Sequence, residues 1–160
     1  MSPVEAAGGY RIVDEPRPGA LAQVAVDPLW PLLAMMLAGV WLAWPWFVLN
    51  GLAVGSPTRR REAVWAVLGL VGAFALLLAI AWSDGQGLLP APWDQVAVLA
   101  VVVWKLFVSY RLYVLQARSF GLYEYFGGTR RNGLAVVVVA FLVAPAILGA
   151  LPDFFAAWLR

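Results

Sequence analysis

The sequence predicts an all-α fold: a polytopic integral membrane protein whose four transmembrane helices form two hairpins. Three observations predict it. Hydrophobic residues make up 63% of the chain and charged residues 12%, far from the roughly half apolar and one-quarter charged of soluble domains. Four apolar segments, about 29–49, 63–82, 92–111 and 133–151, each approach the roughly 20 residues that cross about 30 Å of hydrocarbon. Basic residues concentrate in the loops after the first and third segments, the alternation that hairpins require.

On this reading residues 1–28 are an extramembrane N-terminal tail and 29–160 a single four-helix domain. The tail is mixed in charge and bears Pro3, Pro16, Pro18 and Pro28, with short apolar pieces at Tyr10–Val13 and Leu21–Val26. It has no basic stretch followed by an apolar core, so no cleaved signal is expected from it.

The first span carries Trp30 at one end and Trp44 and Trp46 near the other, as an aromatic belt does. Pro45 is expected to kink it, because a helical proline cannot donate to the carbonyl of Trp41. Asn50, Gly51, Gly55 and Pro57 break the pattern, and Arg59-Arg60-Arg61-Glu62 marks headgroups or water. The second span is free of charge, with Ala66, Gly69 and Ala73 at helical spacing, a face that lets helix backbones approach in lipid. The Ser83–Gln95 turn carries acids and no base. The third span opens at Pro92 and Trp93 and runs on as an amphipathic extension to about Arg118. After a loop rich in aromatics, the fourth contains Pro145 and ends at Pro152-Asp153.

Arg59, Arg60, Arg61, Arg118, Arg130 and Arg131 share one face on this topology. The positive-inside rule makes that face cytoplasmic and puts both termini outside, in what reads as a bacterial inner membrane. Thr58-Arg59-Arg60 and Thr129-Arg130-Arg131 precede the second and fourth spans alike. A parallel repeat would produce this; the same charge bias acting on two unrelated hairpins is the preferred explanation.

Lys105 is the sharpest chemical signal. A base deep in a span costs about 2.5–3.5 kcal/mol on insertion scales, and such a group is a functional hypothesis by default. Ser109 lies four residues on and Gln116 eleven, so both share its helix face, and Arg111 follows near the boundary. These residues form a candidate intramembrane polar site. Either Lys105 snorkels to the headgroups, or it turns inward to a carbonyl freed by proline, that of Trp41 or Phe141. Arg59, Arg60, Arg61, Arg130 and Arg131, with Tyr123, Glu124 and Tyr125, are candidate contacts for lipid or a partner.

The chain contains neither Cys nor His, which excludes thiol–disulfide relays, zinc sites built on thiolate or imidazole, and Ser-His or Cys-His nucleophiles. No acid lies within an expected span, so proton-coupled transport is disfavoured. No catalytic residue, metal or cofactor is expected. The expected role is a non-catalytic accessory or assembly subunit of a membrane complex; the alternative is a small homo-oligomeric channel or transporter for an anionic or amphipathic solute. Expected partners are the lipid bilayer and a protein subunit or a second copy of the chain, with no nucleic acid.

Overall fold

The computed structural model describes residues 20–160. A 3-10 turn at Ala20–Val24 leads into α1 (Leu29–Leu37), α2 (Val40–Val54), α3 (Arg59–Gly85), α4 (Trp93–Tyr125), α5 (Leu134–Gly149) and α6 (Asp153–Leu159). Among the described residues nothing is strand-like except an isolated parallel bridge between Val26 and Arg131. The part of the tail before Ala20, including Tyr10–Val13, lies outside the described residues. Two helices, α3 and α4, are long and apolar enough to cross a membrane, and α2 and α5 are shorter apolar helices.

The expected first span, 29–49, is not one helix. α1 stops at Leu37, where the amides of Ala38 and Gly39 both turn back to the carbonyl of Ala34 (2.8 and 3.1 Å). Gly39 has φ +105° and ψ 179°, a conformation essentially confined to glycine. Space demands glycine as well: a Cβ there would lie 2.7 Å from the main-chain oxygens of Leu159 and Arg160. The chain reverses at this point. Val26, just before α1, exchanges two hydrogen bonds with Asn50, near the end of α2 (2.9 and 3.0 Å), and Ala25 packs with Ala53 and Val54. α1 and α2 are therefore antiparallel arms of a helical hairpin. At 9 and 15 residues they reach about 14 and 22 Å, short of the hydrocarbon thickness. Pro45, the expected kink, sits exposed inside α2 without ending it.

α3 and α4 form the long antiparallel pair, 27 and 33 residues, or about 40 and 50 Å. Ala66, Gly69 and Ala73 are buried, as their spacing predicts. Gly69 lies under Trp44 of α2 and Val108 of α4, and its carbonyl accepts from Trp104 Nε1 (3.1 Å). Trp44 and Phe47 are fully buried in the main core, and Trp44 Nε1 donates to Ser109 Oγ (2.9 Å). Close packing at these small residues and such hydrogen bonds join α2, α3 and α4.

α5 starts beside the N-terminal segment, where Arg131 donates its amide to the Ala25 carbonyl (3.2 Å), and packs Ala140, Ala144 and Leu148 around Ala38. The chain then turns at Leu151-Pro152, and α6 doubles back against α3. Phe74 meets Phe154 and Trp158 edge-on, and Trp158 Nε1 donates to the Leu70 carbonyl (2.9 Å).

One expectation changes as a result. Asp27 pairs with Arg130 (3.2 Å), so the described end of the tail shares one end of the bundle with the third loop instead of lying across from it. The two Thr-Arg-Arg stretches are not structural equivalents, in keeping with unrelated hairpins and not a repeat. Arg59 and Arg60 open α3, whereas Thr129–Arg131 is non-helical and bridges to Val26.

Gly39→Ala is expected to destabilise the fold by about 1–3 kcal/mol, through backbone strain and the clash with the chain at 159–160. Gly85→Ala, where an added Cβ meets nothing within 4 Å, is expected to be neutral or slightly stabilising. Thermal-unfolding midpoints in mild detergent provide the comparison.

Candidate functional site: a buried carboxylate at the basic end

Lys105, Ser109, Leu112, Gln116, Ser119 and Tyr123 are all buried. Their spacings of four and three residues lay them along one face of α4, which turns inward toward α2 and α3. Four of the six are polar or charged, so the interior of this apolar protein contains a polar seam. Its centre is Gln116.

Gln116 Nε2 donates to the Phe47 carbonyl on α2 and to Glu62 Oε2 on α3 (2.7 Å), and its Oε1 accepts from Asn50 Nδ2 (3.1 Å). Glu62 has no exposed surface at all. Its other oxygen, Oε1, accepts from Ser56 Oγ and Thr58 Oγ1, both at 2.7 Å. Ser56 Oγ also lies 3.1 Å from Ser119 Oγ and accepts the amide of Thr58 (3.1 Å), closing the turn between α2 and α3. Gly51 completes the arrangement, since a Cβ there would collide with Glu62 Oε2. The cluster thus ties together the N-terminal segment, α2, the 55–58 turn, α3 and α4.

The side-chain amide donors of this set have definite destinations. The two amide hydrogens of Asn50 go to Val26 O and Gln116 Oε1, and the two of Gln116 go to Phe47 O and Glu62. Among the described residues no base pairs with Glu62; the ion pairs there join Arg130 to Asp27 and Glu124. Its carboxyl is held by hydroxyl and amide donors alone. Chemically this arrangement can hold an acid out of water and fix the segments around it.

Lys105 does turn inward and is 5% exposed, but it reaches neither carbonyl expected of it. Its Nζ donates to the Ala157 carbonyl at 2.8 Å, because α6 folds back to the depth of Lys105. Carbonyls in the last turn of a helix lack intrahelical donors, and the helix dipole favours a cation there. Ser109 instead serves Trp44. Arg111 is exposed and stacks on the Trp65 ring, 5.6 Å from its centroid, on a different side of α4 from Lys105. The three residues do not form one site.

The expected aromatic contact surface also separates. Tyr123 is buried, packed with Ala25, Ala53, Val54 and Phe120 and donating to the Ala22 carbonyl (3.2 Å), whereas Tyr125 is 83% exposed. Glu124 binds Arg130 through two hydrogen bonds (2.8 and 2.9 Å). They hold the guanidinium above even its ordinary range, so it stays charged. Arg59, Arg60, Arg61 and Arg131 are exposed.

Sequence reasoning missed the parts played by Asn50 and Glu62, which read as a helix breaker and a boundary charge, and by Ser56. One signal was present: Thr58 and Glu62 are four residues apart at a helix start, where a hydroxyl and a carboxylate share a face. Comparison with protein-family models, curated proteins and solved structures finds no match to this chain.

Glu62→Ala removes the acceptor shared by the Ser56 and Thr58 hydroxyls and leaves one buried amide hydrogen of Gln116 without a partner. A loss of about 2–4 kcal/mol is expected, measurable by SDS-titration unfolding. In a double-mutant cycle with Gln116→Ala the losses should be markedly non-additive, because the two residues share one network.

Proposed function

We propose that this is an integral membrane protein of a bacterial inner membrane, acting as a non-catalytic accessory or assembly subunit. The observation that carries the membrane half of this reading is the outer surface of α3. Only 17% of its most apolar stretch is buried inside the fold, and Val64, Val67, Leu68, Val71, Leu78 and Trp82 face outward. In water that would be an exposed apolar patch far beyond what soluble monomers carry; in lipid it is the solvated surface.

The subunit half is supported by how the inward polar groups are used. Glu62, Gln116, Asn50 and Ser56 bind one another, and Lys105 and Trp158 bind backbone carbonyls. These groups serve the fold, and the surface left for other molecules is apolar helix below and arginine above.

On this reading α3 and α4 cross the bilayer, α5, at 16 residues, runs from the cytoplasmic face most of the way toward the outer one, the α1–α2 hairpin enters and leaves by the cytoplasmic face, and α6 folds back into the outer half. Residues 20–27 then share the cytoplasmic side with the basic loops. The chain has no native cysteine, so single cysteines at Gln23, Arg60, Gly85 and Thr129 report topology directly. Labelling from outside in intact cells is expected only at position 85. Labelling at 23 as well would restore two full hairpins, with the tail outside.

Purification in mild detergent tests the role. A protein partner recovered in fixed stoichiometry is the expected result; a discrete homo-oligomer that conducts anions in liposomes would replace the subunit reading with a channel.

A further inference from the structure

Along the α3–α4 pair, at the basic end, lies a groove of about 320 Å³ bounded by the 57–58 turn, the first turn of α3 and the C-terminal third of α4. Arg61 from α3 and Arg118 from α4 line it together with the Thr58 side chain, and Val114, Leu115 and Leu122 supply its apolar walls. Neither arginine has a carboxylate partner among the described residues. Glu62, the nearest acid in sequence, points the other way and is committed to Ser56, Thr58 and Gln116.

Three features define what fits. Two guanidiniums from different helices converge on one concavity, and such forks match a phosphate by paired N–H···O bonds. Arg59, Arg60 and Arg61 occupy the first turn of α3, where the helix dipole already favours an anion and disfavours cations. The depth also matches: measured along α3 from the middle of its apolar stretch near Gly72, Arg61 stands about 17 Å from the bilayer centre, which is headgroup level. Seven residues nearer the centre on α4, about 10 Å deeper, Arg111 stacks on Trp65 at the same α3–α4 seam. Val114 and Leu115 lie between these two levels.

We propose that this groove binds an anionic phospholipid of the cytoplasmic leaflet, with its phosphate between Arg61 and Arg118 and its upper acyl region against Val114, Leu115 and the Arg111–Trp65 pair. The proposal rests on the membrane reading above. Within it, the two arginines act as a lipid-selective contact and not only as topological markers.

The test uses the full chain in mild detergent, titrated with phosphatidylglycerol or with phosphatidylcholine of the same acyl chains, with bound lipid counted by native mass spectrometry. Phosphatidylglycerol is expected to be retained preferentially. Arg61→Gln with Arg118→Gln should weaken that retention by about tenfold or more, given two bases at headgroup level. The Arg61→Lys/Arg118→Lys pair, which keeps the charge and loses the fork, should fall between. Arg131→Gln, an exposed arginine outside the groove, should have little effect.

Equal retention of the two lipids, or an equal loss with Arg131→Gln, overturns the site in favour of bulk charge. Displacement of phosphatidylglycerol by millimolar inorganic phosphate alone overturns it in favour of a soluble anion. Both arginines are exposed, and unchanged unfolding midpoints would establish that the variants remain folded. Extraction of membranes with alkaline carbonate separates the two levels of failure. A chain released by carbonate refutes the membrane reading itself; one that stays in the pellet without lipid preference refutes only the groove.

Discussion

A carboxylate with no access to water must receive hydrogen bonds from its surroundings, and the basic half of this protein is arranged around that requirement at Glu62. Burying an unpaired polar group costs several kcal/mol, and a charge far more. Three donors converge on its two oxygens, and they come from the 55–58 turn and from α4. Gln116 can serve Glu62 only because α2 lies close enough to take its second hydrogen at the Phe47 carbonyl. That approach in turn depends on Gly51. Removing any one group leaves the others with unmet obligations, so the cluster fixes the relative position of its segments more sharply than the surrounding apolar contacts do.

The same logic explains the shape of the α1–α2 hairpin. A chain that reverses exposes backbone groups at the reversal and at both ends, and on the proposed membrane reading irregular backbone survives there only where protein covers it. The tip at Ala38–Gly39 is covered by α5 and α6, and the Trp41 indole donates to the Ala38 carbonyl (2.7 Å). At the open end Asn50 acts as a substitute strand, giving Val26 a donor and an acceptor. The hairpin can thus be short without leaving its termini unsatisfied.

Much of the helical content was legible because it follows from composition and period. The segment 63–82 lies within α3, all but the first residue of 92–111 lies within α4, and α5 nearly coincides with 133–151. The inward face of α4 was legible from Lys105, Ser109 and Gln116 at helical spacing. The break at Gly39 was not, because glycine is common in apolar helices and what makes this one a reversal is the chain at 159–160 packed against it, a contact with no local trace. Pro45 did not mark the break: it lies on an exposed face of α2 and the helix continues through it. Glu62 was misassigned because three arginines precede it. Its burial is decided by Gly51 and Gln116, which are distant in sequence, and no window around 59–62 contains that information.

The fold-back of α6 bears on the order in which the molecule is built. Lys105 enters with α4, yet its acceptor at Ala157 belongs to the last described helix, so the ammonium has no partner until α5 has been made and α6 has turned. The hairpin tip waits for the same event, since Gly39 is covered by residues 159–160. During synthesis the basic end can therefore close first, around Glu62, Gln116 and Asn50, all present once α4 is complete. Closure of the middle waits until α6 has been made and has turned back onto α3 and α4.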